Sequence, residues 1–153
     1  MRPTIERKYG VSSAAEIVNQ YVSEISRHNN ETVTFSNHSL VDQLIDVYQQ
    51  AAEDGWDGEG SIAVAAGTYQ VARALVESLP TAYRTPEISA EPDGHLHLEW
   101  FVNNRRVLGV SINPDGRLHW AALLGEEDPR GTCRFDGQTP TTLLHWIGRV
   151  CNG

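Results

Sequence analysis

The spacing of hydrophobic residues changes once along the chain, from a helical period before residue 80 to an alternating period after residue 86. Residues 1–11 precede the first periodic segment and are predicted to form a flexible tail. Apolar residues that recur every three to four positions then predict three helices. The first runs from a cap at Ser12 or Ser13 to about His28, the second follows the cap candidates Asn37 and Ser39, and the third extends from about Val64 to Leu79.

Alternating apolar residues after Pro86 predict an antiparallel sheet of four or five strands. Turn sequences such as Pro92-Asp93-Gly94 separate the alternating runs, and Thr139-Pro140 opens a last helix. We therefore predict an α+β fold, in which three N-terminal helices and one C-terminal helix pack on one face of an antiparallel meander, within a single domain of residues 12–153. The predicted strands include Ile88 and Ala90, Leu96–Val102, Leu108–Ile112, Leu118–Leu124 and, as a fifth, Thr132–Phe135.

The alternation also assigns residues to the face of the sheet that the helices leave uncovered, here called the outer face. Trp100 and Trp120 have the inward parity and are expected in the core. A three-residue link at 103–105 aligns the apolar faces of consecutive strands, and it places His97 opposite Ser111 and Ser111 opposite His119. The outer face is predicted to carry His95, His97, Glu99, Phe101, Val107, Ser111, His119, Ala121 and Leu123.

Acidic residues are concentrated in one stretch of the chain. The formal net charge is −8, and no Lys or Arg lies between His28 and Ala72. Such a one-sided charge repels nucleic-acid phosphate and attracts basic protein surfaces. With no signal peptide, no long apolar run and two cysteines spaced far apart, we expect a cytoplasmic protein that binds neither nucleic acid nor a membrane. The acidic residues of this stretch are Glu31, Asp42, Asp46, Glu53, Asp54, Asp57 and Glu59.

The acidic stretch ends in the loop Trp56-Asp57-Gly58-Glu59-Gly60. An EF-hand alignment of this loop puts Gly55 and Ala66 where calcium requires carboxylates, so that motif is excluded. We expect Trp56 to bury its ring under the sheet and Asp57 to cap the turn. Two alternatives stay open, a recognition role for the exposed carboxylates and an irregular cation site of Asp54, Asp57 and Glu59.

The histidines of the outer face leave two further chemistries open. His95, His97, His119 and Glu99 are metal-ligand types, but His97 and His119 lie two strand spacings apart, roughly 9.5 Å between backbones. That separation is wide for one zinc ion. A nucleophilic Ser111 with His97 or His119 as its base lacks a glycine-rich nucleophile elbow. We expect solvated histidines, no cofactor and no catalytic residue.

Several short motifs follow one another along the chain: Trp56-Asp57-Gly58-x-Gly60, Pro86-Glu87-Ile88, Leu98-Glu99-Trp100, Ile112-Asn113-Pro114-Asp115-Gly116 and Phe135-Asp136-Gly137. Their order resembles a family of small, uncharacterised bacterial proteins that share a W-D-G-x-G turn ahead of a helix and an L-E-W strand. The resemblance covers residues 45–150. It implies a bacterial or phage source and no activity.

These observations lead to one functional hypothesis, a non-enzymatic protein-interaction module that binds a basic protein surface. Bacterial or phage inhibitors, antitoxins and anti-defence proteins are the most concrete versions. The half-apolar outer face favours a second contact surface, for a partner or for a homodimer. The alternative function is a small metal-dependent or hydrolytic enzyme that uses His95, His97 and His119. The expected binding residues are Asp42, Asp46, Glu53, Asp54, Trp56, Asp57 and Glu59, with Phe101 and Leu123 on the outer face.

Overall fold

The computed structural model describes residues 35–153 of the chain. The predicted tail of residues 1–11 and the predicted helix of residues 12–28 lie outside the described residues. The described part forms three helices and five strands. In chain order they are α1 (Phe35–Gln50), α2 (Ala66–Ser78), β1 (Glu87–Ala90), β2 (Leu96–Asn103), β3 (Arg106–Ile112), β4 (Arg117–Leu124), β5 (Arg130–Arg134) and α3 (Thr141–Asn152).

The five strands form one antiparallel meander whose spatial order is the order of the chain. Short turns join them, and the turn glycines Gly94 and Gly116 adopt φ angles of +88° and +83°. Only glycine enters this region without a steric penalty, so these turns depend on their Asp-Gly sequences. The prediction of an α+β fold with an antiparallel sheet is confirmed, with five strands.

The register between strands is the predicted one, since His97 pairs with Ser111 and Ser111 pairs with His119. The link between β2 and β3 differs in detail from the predicted three-residue connection. Asn103 pairs directly with Arg106, and the pairing shifts between Phe101 and Asn103. A bulge therefore takes up the extra residue, and a two-residue turn gives the same alignment.

Helix α1 begins earlier than the sequence predicts. It starts at Phe35, so Asn37 and Ser39 lie inside the helix and the prediction that they cap it is wrong. Asn and Ser are only mildly unfavourable within a helix, and their presence does not force a boundary. The predicted apolar stripe of the helix is buried, at Leu40, Val41, Leu44, Ile45 and Tyr48.

The core lies between the helices and one face of the sheet. Helix α3 contacts β2, β3 and β4, helix α2 contacts β2 and β3, and α1 contacts α2 and β1. Of the four predicted helices, the described part of the chain contains three, two before the sheet and one after it. None of these described helices is long and apolar enough to cross a bilayer. The strand residues buried in the core are Leu96, Leu98, Trp100, Leu108, Val110, Ile112, Leu118 and Ala122.

The two tryptophans expected in the core have different environments. Trp100 is 1% exposed, and its indole N–H donates to the carbonyl of Arg84 at 2.7 Å. Trp120 is only half-buried, and its ring packs on that of Trp146 in α3 with 5.5 Å between centroids. The residue paired with Trp120 on β5 is Gly131, and the indole ring lies in the space over this glycine, where a methyl group would be 2.9 Å from the ring. The predicted inward parity of Trp120 is therefore confirmed by its contact with α3, but its ring is half-buried and not part of the buried core.

Candidate functional site

The outer face of the sheet carries a row of polar side chains that crosses all five strands. Ser89 pairs with His97, His97 with Ser111, Ser111 with His119, and His119 with Thr132. Residues with this parity are exposed or half-buried, whereas their neighbours along each strand face the core. A shallow groove of about 400 Å³ follows the row. Its lining includes Glu91, His97, Gly109, Ser111, His119 and Arg130.

One end of this row meets the turn between β1 and β2. The backbone N–H of Glu91 donates to the carbonyl of His95, and the N–H of Gly94 donates to the carbonyl of Glu91. The Asp93 carboxylate accepts the backbone N–H of His95 at 3.1 Å, which closes the turn further. The turn therefore holds Glu91, Asp93 and His95 close to the start of the polar row.

The side chains at this end form a connected polar cluster of Glu91, Asp93, His95, His97 and Ser111, called the hairpin cluster below. Ser111 Oγ donates to Glu91 Oε2 at 2.5 Å and lies 3.4 Å from His95 Nδ1. His95 Nδ1 is 3.2 Å from Asp93 Oδ2, and His97 Nδ1 is 3.6 Å from Glu91 Oε1. Two carboxylates and two imidazoles of the β1–β2 hairpin thus meet the hydroxyl of Ser111 from the neighbouring strand β3.

The imidazole of His97 is held over the backbone of the neighbouring strand. A methyl group built on Gly109 would lie 2.9 Å from Cε1 and 3.2 Å from Nε2 of His97. Glycine at this position therefore provides the space in which the ring lies. The side chain of His97 is only 26% exposed as a result.

The hairpin cluster has the residue types of a serine hydrolase but lacks its geometry. In a catalytic triad the base uses one ring nitrogen for the serine and the other for the carboxylate. Here Ser111 Oγ and Asp93 Oδ2 both approach the same nitrogen, Nδ1 of His95. The serine hydroxyl is also directed at Glu91. This arrangement gives no support to a nucleophilic role for Ser111.

The histidines and the glutamate considered for a metal do not all come together. His119 lies away from the hairpin cluster, with Nδ1 3.1 Å from Thr132 Oγ1 and Nε2 3.4 Å from Asn113 Nδ2. Glu99 sits in the next row, opposite Glu87 and Gly109. Among residues 35–153, the group of three ligand-type side chains with mutually close donor atoms is Glu91, Asp93 and His95.

The exposed carboxylates of α1 and the loop that follows it form the second candidate surface. We call Asp42, Asp46, Glu53 and Glu59 the acidic surface, since all four are exposed. The loop between α1 and α2 is held by its own side chains. Asp54 Oδ1 accepts the N–H of Ala63 at 2.8 Å, and Asp57 Oδ1 accepts those of Glu59 and Ser61 at 2.8 and 3.2 Å.

These contacts assign structural roles to two of the predicted binding residues. The N–H of Glu59, followed by the hydroxyl of Ser61, holds the pKa of Asp57 below its usual value because both stabilise the carboxylate. The prediction that Asp57 caps the turn is confirmed. The close set of metal-ligand types found in the described residues does not include Asp54, Asp57 and Glu59, the alternative cation site that the sequence left open.

Trp56 stabilises the same loop rather than the core. Its ring is half-buried, and its indole N–H donates to the carbonyl of Ile62 at 3.0 Å. The prediction that it buries under the sheet is therefore wrong, because the turn folds back on itself and offers the indole a local acceptor. The half-exposed ring stays available beside the acidic surface.

A third feature is an apolar row on the outer face. Phe101 pairs with Val107, and Val107 pairs with Leu123, so three apolar side chains lie side by side across β2, β3 and β4. Phe101 is 47% exposed. Directly opposed apolar residues on a solvated face are typical of contact surfaces.

Comparisons of the chain with family models, with curated proteins and with solved structures find no match. The resemblance to a bacterial family therefore stays an expectation from the motifs, and function has to be argued from this chain's own residues.

Sequence reasoning placed His95 and His97 on the outer face but missed Glu91 and Asp93 as their neighbours. A pattern that indicates them is present in Glu91-Pro92-Asp93-Gly94-His95-Leu96-His97, where ligand-type residues occupy every second position. The prediction treated residues 92–94 only as a turn. It did not consider that such a turn brings Glu91 back opposite His95.

Proposed function

We propose that this chain is a non-enzymatic protein-interaction module that binds a basic surface of another protein through the acidic surface. The observation that carries the proposal is the exposure of Asp42, Asp46, Glu53 and Glu59 on a stretch of chain without any Lys or Arg. A set of exposed carboxylates raises the encounter rate with a basic partner and disfavours acidic ones.

The internal order of the α1–α2 loop supports this proposal. Hydrogen bonds from the backbone to Asp54 and Asp57, and from Trp56 to the backbone, hold the loop in one shape. A surface that is already ordered loses less conformational entropy when it binds. Trp56, half-exposed beside the carboxylates, then supplies an aromatic contact of the type that is enriched at binding hot spots.

In the version that the family resemblance favours, the partner is a nucleic-acid-binding protein and this chain is an inhibitor, antitoxin or anti-defence protein of bacterial or phage origin. The acidic surface would occupy the basic patch that otherwise contacts phosphate. This version predicts that partner binding and nucleic-acid binding exclude each other. A partner that binds its nucleic acid equally well in the presence of this chain contradicts it.

The test compares two variants with the same change in net charge. The first carries Asp46→Asn, Glu53→Gln and Glu59→Gln in the acidic surface. A partner is captured by cross-linking from a bacterial lysate with the native chain, is purified, and its Kd is measured by biolayer interferometry at low and high salt. Three exposed ion pairs at about 0.5 kcal/mol each predict a loss of affinity of roughly tenfold.

The control variant carries Glu126→Gln, Glu127→Gln and Asp128→Asn. These carboxylates are also exposed, but they already face Arg105, Arg149 and Arg130 at 2.7, 3.5 and 3.2 Å. We expect this variant to keep most of the affinity. Equal losses in the two variants, or binding of the native chain that is insensitive to salt, would contradict a role for the acidic surface.

The apolar row of Phe101, Val107 and Leu123 favours a second contact through the outer face, either with the same partner or with a second copy of the chain. Phe101→Asp with Leu123→Asp tests it, because neither position is in the buried core. We expect the folded double variant to lose partner binding, or to be monomeric by light scattering if the native chain is a dimer. Unchanged binding and unchanged mass would remove the outer face from the proposal.

A further inference from the structure

The turn between β1 and β2 concentrates metal-ligand side chains at consecutive alternate positions. Glu91, Asp93, His95 and His97 occupy every second residue of one seven-residue segment. The N–H of Glu91 donates to the carbonyl of His95 and the N–H of Gly94 donates to the carbonyl of Glu91, so the turn places Glu91 opposite His95 with Asp93 between them. The donor atoms of Glu91, Asp93 and His95 lie within 4.8 Å of one another.

We propose that Glu91, Asp93 and His95 bind a divalent transition-metal ion, with His97 positioning the Glu91 carboxylate. The proposal is independent of the acidic surface and of any partner. It differs from the metal set suggested by the sequence, because two carboxylates of the turn take the places of His119 and Glu99.

The distances within the cluster suit an ion of this size. Metal bonds of about 2.0–2.1 Å in a tetrahedral site put neighbouring ligand atoms roughly 3.3 Å apart. Asp93 Oδ2 and His95 Nδ1 are 3.2 Å apart. The Asp93–His95 pair is therefore already spaced for one ion, and a side-chain adjustment of Glu91 completes three ligands.

Each carboxylate has one oxygen occupied by the protein and one oxygen left for a ligand bond. Asp93 Oδ1 accepts the backbone N–H of His95, which leaves Oδ2 beside the imidazole. Glu91 Oε2 accepts the hydroxyl of Ser111, which leaves Oε1 on the side of His97. Carboxylates that are oriented in this way by outer hydrogen bonds are typical of protein metal sites.

His97 provides a second, independent observation. Its Nδ1 is closed to solvent and has no hydrogen-bond partner among the described residues, although it lies 3.6 Å from Glu91 Oε1. A buried polar atom without a partner is rare and calls for an explanation. Ion binding draws Glu91 into a fixed position, in which its carboxylate can accept a short hydrogen bond from this nitrogen.

The donor set also indicates the class of metal. Imidazole favours zinc, nickel, copper and iron, whereas magnesium and calcium prefer sites made only of oxygen. One imidazole with two carboxylates therefore fits Zn²⁺ or a neighbouring first-row ion better than Ca²⁺ or Mg²⁺. Asp93 is 60% exposed and His95 28% exposed by side chain, so the ion would reach the cluster directly from solvent.

The test is isothermal titration calorimetry on the full chain without a histidine tag. ZnCl₂ is titrated into the protein, and CaCl₂ and MgCl₂ are titrated in parallel. We expect one Zn²⁺ per chain and no comparable heat from the other two ions. Asp93→Asn is the sharpest variant, because the amide oxygen still accepts the turn hydrogen bond while the charged ligand is lost. His95→Ala and Asp93→Asn are each expected to remove one-to-one binding, and His97→Ala to weaken it about tenfold.

His119→Ala and His145→Ala are the matched controls, since both histidines are exposed and lie outside the cluster. Circular dichroism establishes whether each variant is folded. If His95→Ala does not fold, the loss of Zn²⁺ binding is tested with Asp93→Asn and Glu91→Gln instead. No one-to-one Zn²⁺ binding by the native chain overturns the proposal. Native-like Zn²⁺ affinity in Asp93→Asn also overturns it. The same holds if His119→Ala loses as much Zn²⁺ affinity as Asp93→Asn, or if the native chain binds Ca²⁺ more tightly than Zn²⁺.

Discussion

The position of His97 over Gly109 gives a stability prediction that can be worked out from the structure. In Gly109→Ala the new methyl group would lie 2.9 Å from Cε1 and 3.2 Å from Nε2 of His97. Ordinary carbon contacts are about 3.5–4.0 Å, so the ring has to move. Overpacking costs about 1–3 kcal/mol, and the lower part of this range applies because the methyl group meets the far end of a half-buried side chain that can shift. Replacing glycine by alanine in a strand returns roughly 0.5–1 kcal/mol, and we expect a net destabilisation of up to about 1 kcal/mol.

A double-mutant cycle separates the clash from other effects of the substitution. When His97→Ala has already removed the ring, Gly109→Ala meets no imidazole and should stabilise the protein by roughly 0.5–1 kcal/mol. The coupling between the two positions is then about 1–2 kcal/mol, within the range expected for residues in contact. Gly148 in α3 is the control, because a methyl group there meets nothing within 4 Å. Gly148→Ala should stabilise the protein by up to about 1 kcal/mol.

The free energy of unfolding is measured from urea titrations followed by tryptophan fluorescence, with unchanged m-values as the check on two-state behaviour. The reasoning is refuted if the effect of Gly109→Ala is the same with and without the His97 ring. That result would mean that His97 does not occupy the space over Gly109.

Three further predictions concern the loop, the thiols and the two faces of β2. The lowered pKa of Asp57 contributes stability that is present above the carboxyl's ordinary pKa of about 4 and is lost as the pH falls through the folded value. The Tm difference between the native chain and Asp57→Asn should therefore shrink from pH 6 to pH 3. A difference that stays constant with pH contradicts this role of the Asp57 carboxylate. Burial raises the pKa of the Cys133 and Cys151 thiols, although the charges of Arg84 and Arg106 oppose this effect at Cys151. Iodoacetamide should therefore alkylate both thiols more slowly at pH 7 in the native chain than in urea. Leu98→Ala, in the core, should cost about 2–5 kcal/mol, whereas Phe101→Ala, half-exposed on the other face, should cost less than about 1 kcal/mol by urea titration.

Local patterns were sufficient to predict the sheet. Alternation assigns each strand residue to a face, and Asp-Gly or Asn-rich turns restrict how consecutive strands align, so the pairing of His97, Ser111 and His119 followed from the sequence. The same alternation separated Trp100 in the core from Phe101 on the outer face. The bulge near Val102 was missed, because a link of two residues with a bulge and a link of three residues give the same register.

Features that depend on where a side chain finds its partner were decided by the tertiary structure. Trp56 was expected in the core, but its indole bonds to Ile62 within the loop, since hydrophobicity alone does not tell which acceptor lies nearby. Trp120 was also expected in the core, but its ring lies over Gly131 of the edge strand β5 and is only half-buried.

The hairpin cluster combines both kinds of information. The sequence by itself determined that His95 and His97 share the outer face, because a period of two residues is a local property of extended backbone. It did not determine that Glu91 reaches Ser111, which is 20 residues away in the chain. That contact requires β1, β2 and β3 to be assembled, and only the assembled sheet brings two carboxylates, two imidazoles and a hydroxyl together.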